Sequence, residues 1–222
     1  MQGHELVINK PAQGIEPPAQ VFEDFTKNYL LPVEGGYTVD TGGPTMWGIT
    51  LTDWNRYAPK YGWPKISASN ARRGMESEVT RARATKIYED VYWKGPGLDK
   101  FAVSFPKTAA ALMDAGVNEG TGTIQPKLRA AMRELGENAS DKQVALHIVK
   151  SSYDHRNRLA TNNPAKYGKY KYGWINRANS LADFIGIDRP GAKRKEAHYG
   201  DQDIRSIVAD PSANAADMLD AL

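Results

Sequence analysis

Glu34 stands at the head of the run LPVEGGYTVDTGGPTMWGIT, residues 31–50. Close behind it come Gly35, Gly36, Gly42 and Gly43, the carboxylate of Asp40, the hydroxyls of Thr38, Thr41 and Thr45, and the ring of Trp47. Glycine costs backbone entropy and offers nothing to pack, so its clustering marks special backbone geometry or close approach to a ligand. A carboxylate leaving a helix end, with hydroxyls, a second carboxylate and an aromatic ring folded back toward it, is a residue set for acid catalysis on a sugar. The same residues also suit a helix-end glutamate followed by a two-strand turn, with no chemistry attached.

The elements that position this set follow from periodicity. Val21, Phe22, Phe25, Tyr29 and Leu30 recur at helical spacing, and Pro32 predicts that this helix ends or kinks just before Glu34. The glycine-punctuated stretch to Thr50 predicts a short hairpin or irregular ribbon, with Trp47 and Ile49 on alternating positions. Residues 51–62 read as a helix capped at Thr50 or Thr52, with Trp54 turned inward. Residues 63–76 read as a polar connection, and a further helix is expected from about Ser77 to Tyr92, with Tyr88, Tyr92 and Trp93 as core anchors. Pro106 opens a helix that is apolar nearly all round, the pattern of a buried central helix, so Asp114 within it must be paired or hydrogen-bonded. Asn118, at the start of NEGTG, either holds a sugar hydroxyl or N-acetyl group or caps the helix. Gly136 closes the next helix, and Ser140 with Gln143 forms a capping box for a longer one. A last helix is expected over 173–185.

Composition narrows the function classes. The chain has 222 residues, 41% hydrophobic and 25% charged, which suits a globular fold with its own core. A net charge of +3 does not indicate a general nucleic-acid binder, though it permits attraction to an anionic polymer. With no cysteine and four scattered histidines, neither a thiolate site nor a paired-histidine zinc site is expected, and no cofactor is implied. No signal peptide or membrane-length apolar run is seen, so synthesis in the cytoplasm without membrane insertion is expected. The run KYGKYKYGW, residues 166–174, interleaves lysines with aromatics. Its rings, Tyr170 and Trp174 among them, either stack on sugar faces or bases, or pack inward while the lysines are solvated.

Four blocks, in order, resemble the N-acetylmuramidases of glycoside hydrolase family 108. EGGY followed by GGPTMWGIT resembles that family's opening motif, and IYEDVYW (87–93) its IY-x-x-YW helix. LMDAGVNEGTG (112–122) resembles its F-D-x-x-V-N-x-G segment. GWINR (173–177) resembles the close of the small peptidoglycan-binding module that usually follows. The resemblance implies a mostly α (α+β) architecture, a lysozyme-like helical domain with a short β hairpin at the cleft. The division it suggests is an extended arm over 1–20, a catalytic domain over 21–136, a helical peptidoglycan-binding-like module over 137–187 packed on it, and a tail over 188–222. It implies hydrolysis of peptidoglycan between N-acetylmuramic acid and N-acetylglucosamine, with Glu34 as general acid in a partly apolar site walled by Trp47 or Tyr37. Asp40 then serves as base or charge stabiliser, or Thr45 or Thr50 positions a water; Asn118, Tyr170 and Trp174 are further candidate substrate contacts. The segment VDT between EGGYT and GGPT is shorter than the family's usual loop. The partners implied are peptidoglycan and, through the two tails, other virion proteins of a phage, with delivery by a holin or as part of a virion. A lytic transglycosylase and a non-catalytic virion protein of the same fold are the alternatives.

Overall fold

The structure, a computed structural model, describes residues 17–191 apart from Thr41 and Glu137. Residues 1–16 and 192–222, which carry most of the expected arm and tail, lie outside that range.

The chain opens with a continuous helical stretch: α1 (Pro18–Phe25), a wide π-helical turn over Thr26–Leu30, and α2 (Leu31–Glu34). The expected break before Glu34 does not occur. A π turn shifts the hydrogen-bond register by one residue, so Pro32 falls in the first turn of α2, where a missing N–H is tolerated. The stretch stops one residue later than proline chemistry predicted, at Gly35, whose φ of 71° no longer continues a helix.

The ribbon is a three-stranded antiparallel meander of β1 (Thr38–Asp40), β2 (Gly43–Met46) and β3 (Ile49–Thr50). Its register sets Thr38 opposite Thr45, and Thr45 opposite Thr50, so three threonines form one cross-strand row. Met46 pairs with Ile49, which leaves Trp47 and Gly48 as the two central residues of a tight turn. Both have positive φ, 51° and 75°, the hallmark of a type I′ hairpin turn. Trp47 therefore sits in a turn, not at the strand position expected for it.

Thr50 caps α3 (Leu51–Tyr57), accepting from the Asp53 N–H at 3.0 Å, and a 3₁₀ turn carries the chain to Gly62. The expected polar connection contains a helix, α4 (Ala71–Glu78), and Thr80 caps a separate α5 (Arg81–Ile87). Polar content hid α4, whose inward face is only Ala71, Gly74 and Met75. A second π turn, Tyr88–Lys94, and the short α6 (Leu98–Phe101) lead into α7 (Pro106–Glu119). This central helix buries every residue from Thr108 to Gly116. Around it lie α8 (Ile124–Leu135), α9 (Asp141–Asn162, with the expected capping box), the single turn α10 (Pro164–Tyr167) and α11 (Lys171–Ile185). No helix among the described residues is long and apolar enough to cross a membrane.

One hydrophobic core runs through the described residues: Phe25 and Leu30, Trp54 and Met75, Leu112 and Met113, Ile148 and Leu181 belong to a single cluster. The helices of 137–187 thus share their core with those of 21–136. Helix α11 packs antiparallel to the first helical stretch. Phe184 meets the rings of Phe25 and Tyr29 at 6.0 and 5.7 Å, and seven residues earlier Arg177 reaches Glu34.

Candidate active site

Glu34 ends α2, and its side chain is held from two sides. Arg177 Nη1 of α11 donates to Glu34 Oε1 at 2.7 Å, across 143 residues of sequence. On the other side lies the β2–β3 turn. A Cβ built on Gly48 would fall 2.8 Å from Glu34 Cγ and Oε2 and 2.2 Å from Tyr88 Oη, so only glycine fits there. Glu34 Oε2 has no hydrogen-bond donor among the described residues, and the side chain keeps 17% of its surface exposed. One carboxylate oxygen is anchored; the other is available.

The turn is fixed in its place. Tyr88 Oη donates to the Trp47 carbonyl at 2.9 Å, and the Trp47 N–H donates to the Gly35 carbonyl at 3.1 Å. The guanidinium of Arg81 lies 4.5 Å from the centre of the Trp47 ring. These contacts hold a non-glycine residue in the left-handed region, a conformation costing about 1–2 kcal/mol that persists only where its surroundings enforce it.

Behind Glu34, the Asp114 carboxylate is 5% exposed and Arg177 is 11% exposed. Asp114 Oδ1 accepts from Arg177 Nε at 3.0 Å, from Arg177 Nη2 at 2.8 Å and from Tyr29 Oη at 3.2 Å. Burial works against the charge of Arg177, but the carboxylates of Asp114 and Glu34 outweigh it and hold the guanidinium above its ordinary pKa. Burial first, then the charge of Asp114, pushes the Tyr29 phenol up; burial first, then the charge of Glu34, does the same for Tyr88. Both phenols are therefore permanent donors at neutral pH. Two carboxyl groups, those of Glu34 and Asp114, share the one guanidinium of Arg177.

The structure brings some expected residues to this cluster and uses others elsewhere. Trp47 belongs to it through the turn. Tyr37 lies nearby in sequence under the guanidinium of Arg72, 5.5 Å from its ring centre. Asp40 closes β1 opposite Gly43, and its side chain lies outside the described part. Thr45 Oγ1 donates to the Gly43 carbonyl at 3.2 Å, and Thr50 Oγ1, already the α3 cap, bonds Asp53 Oδ2 at 2.8 Å. Asn118 Nδ2 donates to the Asp114 carbonyl within α7 at 2.7 Å, the local alternative to a sugar contact. Tyr170 stacks on Trp174 at 5.7 Å, with Tyr167 6.1 Å from the same indole, near the N-terminal end of α11. Trp174 precedes Arg177 by one turn, so this aromatic group shares a helix face with the residue that grips Glu34.

Sequence reasoning missed three participants. Gly48 stood only within the GGPTMWGIT block, Tyr88 only as a core anchor, and Arg177 only as the last residue of GWINR. Trp-Gly is not a pair that marks a two-residue hairpin, so the sequence carried no signal for this turn. A surface depression of about 570 Å³ lined by Thr121, Gly122, Gln125, Pro126, Arg129 and Arg133 shares no residue with this cluster. It holds no carboxylate. No group of three His, Cys, Asp or Glu among the described residues is placed to hold a metal ion.

A mostly helical fold carrying a small antiparallel sheet, with a hairpin tip closed over a helix-end glutamate, is of the lysozyme-like α+β class. Residues 27–120 match the family model of Glycosyl hydrolase 108. The match supports a glycoside hydrolase; it includes Glu34, Gly48, Tyr88 and Asp114 and leaves Arg177 outside. No curated protein matches the chain.

Proposed function

We propose that the protein is a peptidoglycan hydrolase that cleaves the β-1,4 bond between N-acetylmuramic acid and N-acetylglucosamine, with Glu34 as general acid. The observation that carries this reading is the division of labour within one carboxyl group. Oε1 is anchored by Arg177, and Oε2, beside the Gly48 backbone, is left to carry a proton. A proton on Oε2 passes to the glycosidic oxygen as the bond to the leaving sugar breaks, and positive charge develops on the remaining ring. While Glu34 holds the proton, Arg177 and Asp114 balance each other; as the proton leaves, the cluster gains one negative charge, which favours the positive charge developing on the ring. Asp40 or Thr45 supplies the second function, as base or as the holder of a water. Tyr37, Trp47, Tyr170 and Trp174 are the rings on which sugar faces would stack. The setting we propose is a phage endolysin or virion-associated lysin, which rests on the resemblance of the sequence blocks.

A lytic transglycosylase is the second reading, favoured by one specific observation. The hydroxyls of Thr45 and Thr50 are already bonded to Gly43 and Asp53, and a transglycosylase needs no positioned water. The deciding experiment is digestion of purified peptidoglycan by wild type and Glu34→Gln, with mass spectrometry of the released ends. Reducing N-acetylmuramic acid ends from wild type alone are expected. Release of 1,6-anhydro ends would establish the transglycosylase instead. No release by either protein would leave a wall-binding or structural virion protein.

A further inference from the structure

We infer that Arg177, oriented by Asp114, is a positioning residue for the reaction, and that α11 is therefore part of the active site although it lies outside the matched segment 27–120. The inference rests on the general-acid role proposed for Glu34.

The geometry is that of a bracket. Asp114 Oδ1 engages Nε and Nη2 of the guanidinium, fixing its plane, and leaves Nη1 pointing at Glu34. A guanidinium is a rigid fork, so holding two of its nitrogens fixes the direction of the third. Tyr29 closes the arrangement with its phenol 3.2 Å from Asp114 Oδ1 and 3.3 Å from the Arg177 carbonyl. Glu34 is the last residue of its helix, followed by Gly35, so its backbone alone does not fix the carboxyl. Arg177 holds Oε1, and the Gly48 turn blocks the opposite side. With Oε1 bonded to Arg177 and Oε2 lying beside Gly48, the plane of the carboxyl is set. An ordinary ion pair would need neither the buried second carboxylate nor the phenol.

This arrangement also explains the burial of Asp114 in the apolar α7. An unpaired carboxylate there would be costly, and so would an arginine without it. Removing Arg177 alone strands Asp114, so a single substitution confounds folding with chemistry. The paired replacement Arg177→Gln with Asp114→Asn removes both charges and keeps neutral donors and acceptors in place.

The experiment uses the full chain and soluble glycan strands released from peptidoglycan. Wild type, Arg177→Lys, the paired variant and Glu34→Gln are compared by thermal melting, kcat, KM and glycan binding. The paired variant is expected to melt close to wild type and to keep KM, while kcat falls about 100-fold, the scale set by loss of reacting geometry of about 1 Å. Arg177→Lys, with its charge but no fork, is expected to fall between them. In a Glu34→Gln background the paired replacement should cause no further loss, because both act through one carboxyl. A folded paired variant with wild-type kcat would overturn the inference. So would a loss confined to KM, or one that persists independently of Glu34. Inactive wild type would instead sink the hydrolase reading, and the inference with it, before any substitution is compared.

Discussion

Gly48→Ala is the sharpest single test of how the hairpin tip is built against Glu34. Two separate penalties act at this position. The φ of 75° lies in the left-handed region, and the added methyl would sit 2.2 Å from Tyr88 Oη and 2.8 Å from Glu34 Cγ and Oε2. The first costs an L-residue about 1–2 kcal/mol, and forcing one extra carbon into a packed site typically costs about 1–3 kcal/mol. Taken at about 3 kcal/mol in total, the loss lowers the melting temperature of a chain this size by roughly 6–12 °C. Activity should suffer more than stability. Glu34 must move to admit the methyl, and a displacement near 1 Å costs about 100-fold in rate. Two other glycines supply the controls. Gly62 shares a left-handed backbone, φ 71°, but a Cβ added there would meet no atom within 4 Å, whereas Gly36 has neither constraint. Gly36→Ala should therefore be silent, Gly62→Ala should lose stability of about 1 kcal/mol with its activity retained, and Gly48→Ala should lose both. The assay is release of reducing ends from peptidoglycan at a temperature well below each melting point. Equal losses in Gly62→Ala and Gly48→Ala would refute the reasoning, because strain alone would then explain both. Full activity in Gly48→Ala would refute it more simply.

Two further predictions follow from the same contacts. Tyr88→Phe keeps the ring that packs 5.6 Å from Tyr92 and removes the bond to the Trp47 carbonyl, so it should cost about 1 kcal/mol and lower kcat several-fold as the turn loosens; unchanged kcat with a lowered melting point would assign Tyr88 to stability alone. Glu119 is bonded by Lys127 at 3.0 Å and Arg156 at 3.4 Å. Burial opposes its charge, and the Ser152 hydroxyl and the two cations outweigh burial, so its pKa is lowered; since Ser152 Oγ completes no hydrogen bond of standard geometry, we credit the cations. A lowered folded pKa gives stability that is present above the ordinary value of 4.5 and is lost as pH falls through the folded one. Thermal melts from neutral to acid pH should therefore fall more steeply for wild type than for Glu119→Gln below that value, and parallel curves would remove Glu119 from the acid response.

What was legible in the sequence was what is local. The apolar faces of α1 and α7, the cap at Thr50, the Ser140–Gln143 box and the stop at Gly136 all depend on residues within a turn or two of one another, and each appears at its expected place. Pro32 misled because its effect depends on the hydrogen-bond register it meets, and the π turn before it changed that register. Helix α4 was hidden because three small or flexible inward residues give too weak an apolar stripe among so many charges. Glu34 was legible as a candidate because the residues around it in sequence also suggest chemistry.

Its partners were not, since each is brought in by packing: Tyr88 lies 41 residues beyond Trp47, and Arg177 lies 143 beyond Glu34 and 63 beyond Asp114. Gly136 and the capping box mark a pause between α8 and α9, where the expected module over 137–187 begins. Across that pause Ile124, Ile148 and Leu181 lie in one core with Leu30 and Leu112, and that core carries Arg177 to Glu34. A chain cut after 136 would expose the apolar faces of α7 and α8 and leave Glu34 and Asp114 without their shared cation. The chemistry proposed for the first half of the chain thus depends on the second half for its geometry as well as for its folding.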